Sequence, residues 1–154
     1  MLSEQLHEVI AKIIEHISIQ IPGYRNMPED WDNCDGNVAL CIIDDSGNVY
    51  GKIWGPDKLR GRKYFDVAYR KAAQAWITGY ATNEYEKLVF TDQINYKDCG
   101  LELPELIGWK GGQPIALDKN TKIFCGFSGF RGATDIFIVN NAVEEIIKKT
   151  PIPE

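Results

Sequence analysis

The chain has 154 residues, 44% of them hydrophobic and 25% charged, with a net charge of −5 at pH 7. That length suits a single domain, residues 1–154, with a real core, and the mildly acidic balance argues against a nucleic-acid or anionic-membrane partner. No apolar run approaches the roughly 20 residues a membrane span needs; Met1-Leu2-Ser3-Glu4-Gln5 shows no basic, apolar leader, and the four cysteines form no C-x-x-C pair, so a reducing cytoplasm is the expected setting.

Residues 2–21 read as a helix, because Leu2, Leu6, Val9, Ile10, Ile13, Ile17 and Ile21 recur at three- and four-residue steps. Ser3 is a candidate cap, and Pro22-Gly23 stops the helix. Both histidines, His7 and His16, fall on it. At about 100° per residue they point to opposite sides, so they cannot ligate one metal from the same chain. Each sits at an edge of the apolar stripe, which a subunit interface would bury. Residues 22–37 are turn chemistry, with Tyr24 and Trp31 placed to cover one end of the core. The carboxylates Glu29, Asp30, Asp32 and Asp35 lack the glycine and terminal glutamate spacing of a calcium loop.

Residues 38–54 read as a hairpin. Val38 to Ile43 is nearly continuous apolar sequence, the mark of a strand buried on both faces. Asp44-Asp45-Ser46-Gly47-Asn48 is the turn, and Val49 to Trp54 returns. Gly55-Pro56 breaks the strand. A second helix over 57–80 carries the small-residue stripe Ala68, Ala72, Ala75 and Gly79, which would let it lie close to a sheet. Lys71 adjoins that stripe and is placed to reach a pocket, unlike the basic residues of the solvated face.

Thr82 to Phe90 predicts a short helix with Thr82 as N-cap. Residues 91–105 are a long polar connection including Pro104, and Leu106-Ile107-Gly108-Trp109 reads as a short strand. Gly111 to Leu117, a turn at Asp118-Lys119-Asn120, and Lys122 to Ser128 form a second hairpin. Cys41 and Cys125 lie in the apolar strands and read as small core residues. Gly126, Gly129 and Gly132 recur at steps of three where the last strand runs into the last helix. Such a turn either turns backbone amides toward an anion at the helix N-terminus or simply allows a tight corner. Ile136, Val139, Val143, Ile146 and Ile147 give the last helix its core face, and Thr150-Pro151 ends it. The sum is an α/β sandwich: a mostly antiparallel, five-stranded sheet flanked by helices.

Several segments in order resemble the GlcG/HbpS-like family, also called the haem-degrading domain, which includes the C-terminal domain of PduO-type cobalamin adenosyltransferases. They are Val38 to Gly47, Lys71-Ala72, Thr82, Gly111-Gly112-Gln113-Pro114-Ile115, and Gly126-Phe127-Ser128-Gly129 followed by Asp135. The likeness spans residues 38–147. It departs from the family at Ala81-Thr82, where Pro-Thr is common, and at the bulkier, basic loop Phe130-Arg131-Gly132-Ala133-Thr134. The resemblance implies a profilin-like fold, a homo-oligomer, a pocket near the glycine-rich hairpins and, in some members, haem or a related tetrapyrrole. Candidate ligand-binding residues are Lys71, Thr82, Gly111, Gly112, Ser128, Gly129, Arg131 and Asp135, with His7 or His16 as candidates for haem iron. In a haem-binding reading, aromatics stack on the ring and Arg131 with the loop amides holds carboxylates. In an enzymatic reading, Lys71, Ser128, Arg131 and Asp135 line one pocket, with the lysine or the aspartate as acid/base and the loop amides stabilising an enolate-like oxygen, in proton transfer of isomerase or lyase type. In a third, the chain is an accessory assembly protein with a vestigial pocket.

Overall fold

The computed structural model describes residues 1–102 and 105–150. Its longest helices are α1 (Ser3–Gln20), α3 (Lys58–Thr78) and α5 (Gly132–Lys149); α2 (Pro28–Trp31) and α4 (Thr82–Phe90) are short. The strands are β1 (Val38–Asp44), β2 (Val49–Trp54), β3 (Gly112–Ala116) and β4 (Lys122–Ser128). They form one antiparallel sheet in the order β2-β1-β4-β3.

The pleat sorts β1 into two faces. Val38, Leu40 and Ile42 point to the side covered by α1 and α5, where Ile10, Ile13, Ile17, Ile138 and Val139 complete the larger core. Ala39, Cys41 and Ile43 point to the other side, against Ala68, Ala72 and Ala75 of α3. All seven residues of β1 are buried, as its unbroken apolar run required. The small side chains facing α3 set a short separation. A Cβ added at Gly126 would lie 2.0 Å from the carbonyl oxygen of Ala68. The alanine stripe therefore rests on bare backbone, and larger residues on either side would force α3 off the sheet.

Local signals explain most element ends. Asp57 caps α3 by accepting from the amides of Leu59 and Arg60, both at 3.1 Å, and Gly79 ends it at φ 77°, in the left-handed region that favours glycine. Asp44 builds the first hairpin's turn, accepting from the amides of Ser46 and Asn48. Three expectations need correction. Ser3 is already inside α1, whose first turn has no side-chain cap. Thr82 likewise lies inside α4 and uses its hydroxyl elsewhere. Among the described residues the sheet has four strands rather than five, because 106–109 is not a strand. Side chains hold part of that segment's backbone instead. Gln74 on α3 both accepts from the amide of Ile107 and donates to its carbonyl, each at 2.8 Å. Thr82 donates to the carbonyl of Trp109 at 2.6 Å. Pro104 in the polar connection and Pro151 after the last helix lie outside the described residues.

Candidate functional site

At the end of the sheet where β1 begins and β4 finishes, Ser128 and Gly129 lead into α5, and the segment around Trp109 crosses beside them. A cleft of about 370 Å³ opens there, bounded by Tyr64 and Lys71 of α3, by Trp109 and Lys110, by Ser128 to Phe130, and by Gly132 and Asp135 of α5. That is within the usual range of about 300–1,000 Å³ for ligand pockets.

The floor of the cleft is an ion pair. Lys71 Nζ lies 3.5 Å from Asp135 Oδ2, and each side chain is only 3% exposed. Lys71 also donates to the carbonyl of Phe127 at 2.8 Å, which ties α3 to the last residues of β4. Asp135 accepts from the amide of Phe130 at 3.1 Å. Burial penalises both charges. It pushes the Asp135 carboxyl up to about 8 although Lys71 opposes the shift, and it pushes the Lys71 ammonium down although Asp135 opposes that. Burial thus works against the charge on both partners, while each partner supports the charge of the other.

The glycines serve close approach. Gly111, at φ 119°, places its Cα side against the carbonyl of Phe127 and against Lys71 Nζ, which a Cβ would meet at 2.6 and 2.9 Å. Gly112 lies against Thr82 and the backbone of Lys71, and Gly129, at φ 134°, lies against Asn37 and Val38. Thr82 is fully buried and clamps Trp109, so it shapes the cleft wall from behind. Of the two readings of this turn, the tight corner describes the packing, and the cleft opens beside it.

Arg131 is committed elsewhere. Its amide, Nε and Nη2 all donate to the carboxylate of Asp30, at 3.0, 3.2 and 3.2 Å, and Nη1 meets Glu29 at 3.1 Å. Thr134 adds a fourth bond to Asp30. Asp30 is 1% exposed; burial works against its charge, but the hydrogen bonds from Arg131 and Thr134 outweigh it and leave its carboxyl below the usual range. The N-terminal amides of α5 thus already have an internal anion, with Phe130 N–H on Asp135 and Arg131 N–H on Asp30. Asp30 escaped sequence reasoning because its partner lies 101 positions away. Tyr64 and Lys110 were likewise not singled out for the cleft; for Lys110 the available signal was its place beside Gly111.

Neither histidine lines the cleft. His7 lies edge-on to Tyr50 with ring centroids 5.4 Å apart, near the opposite end of the sheet. His16 Nδ1 meets the Gln20 side-chain amide at 3.0 Å, on the flank that α1 shares with α5. Among the described residues, no group of three His, Cys, Asp or Glu side chains could hold a metal ion. Cys41 and Cys125 are core thiols, as expected, and burial raises both, Cys41 to about 12. No helix of the described residues is long and apolar enough to cross a membrane.

This arrangement, one sheet between α3 and an α1–α5 pair with a cleft at the end of β4, is an α/β fold seen in other solved structures. A double mutant of HbpS from Streptomyces reticuli superposes with a TM-score of 0.64 at 19% identity, covering 90% of this chain and 84% of that one. The Klebsiella pneumoniae protein ORFY gives a TM-score of 0.62 at 17% identity, covering 90% of each chain. A PduOC:heme complex gives 0.60 at 20% identity, covering 94% of this chain and 93% of the other. The GlcG/HbpS-like resemblance read from the motifs and the fold of these structures agree. No protein-family model and no curated protein sequence matches the chain.

Proposed function

We propose that the chain is a GlcG/HbpS-like protein that binds a small, planar ligand carrying an anionic group, of the haem or tetrapyrrole kind, in the cleft above Lys71 and Asp135. The observation that carries this reading is the cleft itself, where a buried lysine underlies a space bordered by the aromatic residues Tyr64 and Trp109 with Lys110 at its edge. Aromatic faces suit a flat ring, and cationic ends suit its carboxylates. The likeness in fold to a PduOC:heme complex supports the choice of haem.

The donor set fits the ring and its anionic edge better than the iron. Haem iron takes an axial His, Cys, Met or Tyr, and among the described residues that line the cleft within one chain only Tyr64 is of these types; its hydroxyl donates to the carbonyl of Asn33 at 3.1 Å. The axial ligand is therefore Tyr64, or else His7 or His16 from a second copy in a homo-oligomer. Val49 and Ile53, exposed on the unpaired edge strand β2, support such an assembly.

Titration with haem, followed by the Soret band, tests the proposal. The expected result is saturable binding that shifts the band, with the iron ligand identified by which of Tyr64→Phe, His7→Ala and His16→Ala alters the spectrum. An unchanged spectrum at micromolar haem removes haem as the ligand. The Lys71–Asp135 pair also favours a second reading, in which the chain is a small-molecule enzyme of proton-transfer type.

A further inference from the structure

Lys71 is unusual among the lysines of this chain in having a buried amine that borders a cleft. Two protein groups accept from its nitrogen: the carbonyl of Phe127 at 2.8 Å and the carboxylate of Asp135 at 3.5 Å. A tetrahedral nitrogen has one position more. In the neutral amine two N–H bonds serve those acceptors, and the lone pair takes the remaining position. The neighbouring carboxyl is close enough to take the proton that the ammonium must lose.

We infer that Lys71 captures small carbonyl compounds as a reversible imine, with Asp135 shuttling the proton. The class of ligand follows from the walls. A planar, conjugated aldehyde or 2-oxo acid would lie against Trp109 and Tyr64, and an anionic substituent would meet Lys110, which is exposed at the edge of the cleft. The Lys71 ammonium first gives a proton to Asp135. The free amine attacks the carbonyl carbon, forming the C–N bond, and the carbonyl oxygen takes the proton from Asp135. The nitrogen returns a second proton to Asp135, which delivers it to the departing hydroxyl. One water leaves, and a protonated imine remains beside an Asp135 carboxylate. Charge is conserved throughout and no redox partner is needed. Burial lowers the Lys71 amine and raises the Asp135 acid, which assists the first transfer. The inference rests on the cleft and the ion pair, and not on haem as the ligand.

The competing role is purely architectural: Lys71 as a clamp tying α3 to β4 and α5. Pyridoxal 5′-phosphate, a planar aldehyde with an anionic group, separates the two. The full chain is mixed with an equimolar amount of this probe, reduced with sodium cyanoborohydride to fix any imine as an amine, and mapped by peptide mass spectrometry over time. Lys71 is expected to be labelled about a hundredfold faster than the exposed Lys58 and Lys119, the lower end of what positioned acid–base help supplies. Asp135→Asn, checked for native circular dichroism, is expected to slow labelling at Lys71 by about tenfold or more while leaving Lys58 and Lys119 unchanged. Labelling of Lys71 no faster than of the exposed lysines overturns the inference on the wild-type chain alone, whatever the variant does. Unchanged labelling in a folded Asp135→Asn chain overturns the proton shuttle. Haem titration reads a different signal, so either proposal fails independently of the other.

Discussion

Replacing Lys71 by Met keeps the stem's volume and removes the charge, which isolates the ion pair. In the native chain the ammonium and the Asp135 carboxylate are 3.5 Å apart and almost fully buried. Removing one partner of such a pair leaves the other uncompensated and typically costs about 3–5 kcal/mol. The cost must depend on pH. Asp135 has a folded-state pKa of about 8, above its ordinary value, so the folded state holds this proton more tightly than the unfolded chain does. The contribution is fully present below the unfolded value of about 4 and is lost as pH rises through about 8. Without Lys71 the main opposition to burial is gone, and the carboxyl rises further. At pH 5 it is protonated in the variant, and the loss reduces to the missing bond to the Phe127 carbonyl, about 1 kcal/mol. At pH 8 the wild-type carboxyl is about half ionised while the variant's is still protonated, and above that the loss grows by up to about 1.4 kcal/mol per pH unit, so at pH 9 it exceeds the loss at pH 5 by about 1 kcal/mol or more. Urea unfolding followed by tryptophan fluorescence at pH 5 and pH 9 gives the two differences. Equal losses at pH 5 and pH 9, or a smaller loss at pH 9, would refute the reasoning.

Three further outcomes follow from the packing. Gly126→Ala puts a methyl 2.0 Å from the Ala68 carbonyl oxygen and 2.7 Å from the Ala72 amide nitrogen, so α3 must shift; a loss of at least about 1–3 kcal/mol is expected, read as a lower Tm. Asp30→Asn removes a buried carboxylate whose pKa lies below its ordinary value, so its stabilisation is present above about pH 4 and lost as pH falls through the folded value; the variant is expected to lose about 3–5 kcal/mol at pH 7 and less at pH 3 in chemical unfolding. Gln74→Ala leaves both polar backbone groups of Ile107 without the partner they have now, and the amide of Ile107 should exchange with deuterium much faster while β1 amides remain protected; the associated cost is about 1–3 kcal/mol.

The layers of the fold were legible because they are local in sequence. The unbroken apolar run of β1 announced two covered faces, and Ala68, Ala72 and Ala75 announced the close side. Lys71 could be singled out because helical geometry puts it beside that stripe, and Asp135 because it follows the glycine turn. What local reasoning missed are the long-range polar bonds. Leu106 to Trp109 has a strand's composition, but Gln74 and Thr82, some 27 to 33 positions away, hold its backbone instead. Arg131 looked like a free anion receptor because its partner Asp30 belongs to a segment that reads as irregular turn. The short helix α2 that carries Asp30 is anchored by that pairing more than by its own four residues, which are too few to nucleate alone.

Where a ligand settles on the chain decides between the cleft and every other surface. Amide NMR of the labelled chain titrated with zinc protoporphyrin, a diamagnetic stand-in for haem, reads this residue by residue. The expected shifts are confined to Trp109, Lys110, Ser128, Gly129 and Gly132 around the Lys71–Asp135 floor. Shifts gathered at His7 and Tyr50 near the far end of the sheet, with the cleft amides unmoved, would contradict a ligand site in the cleft.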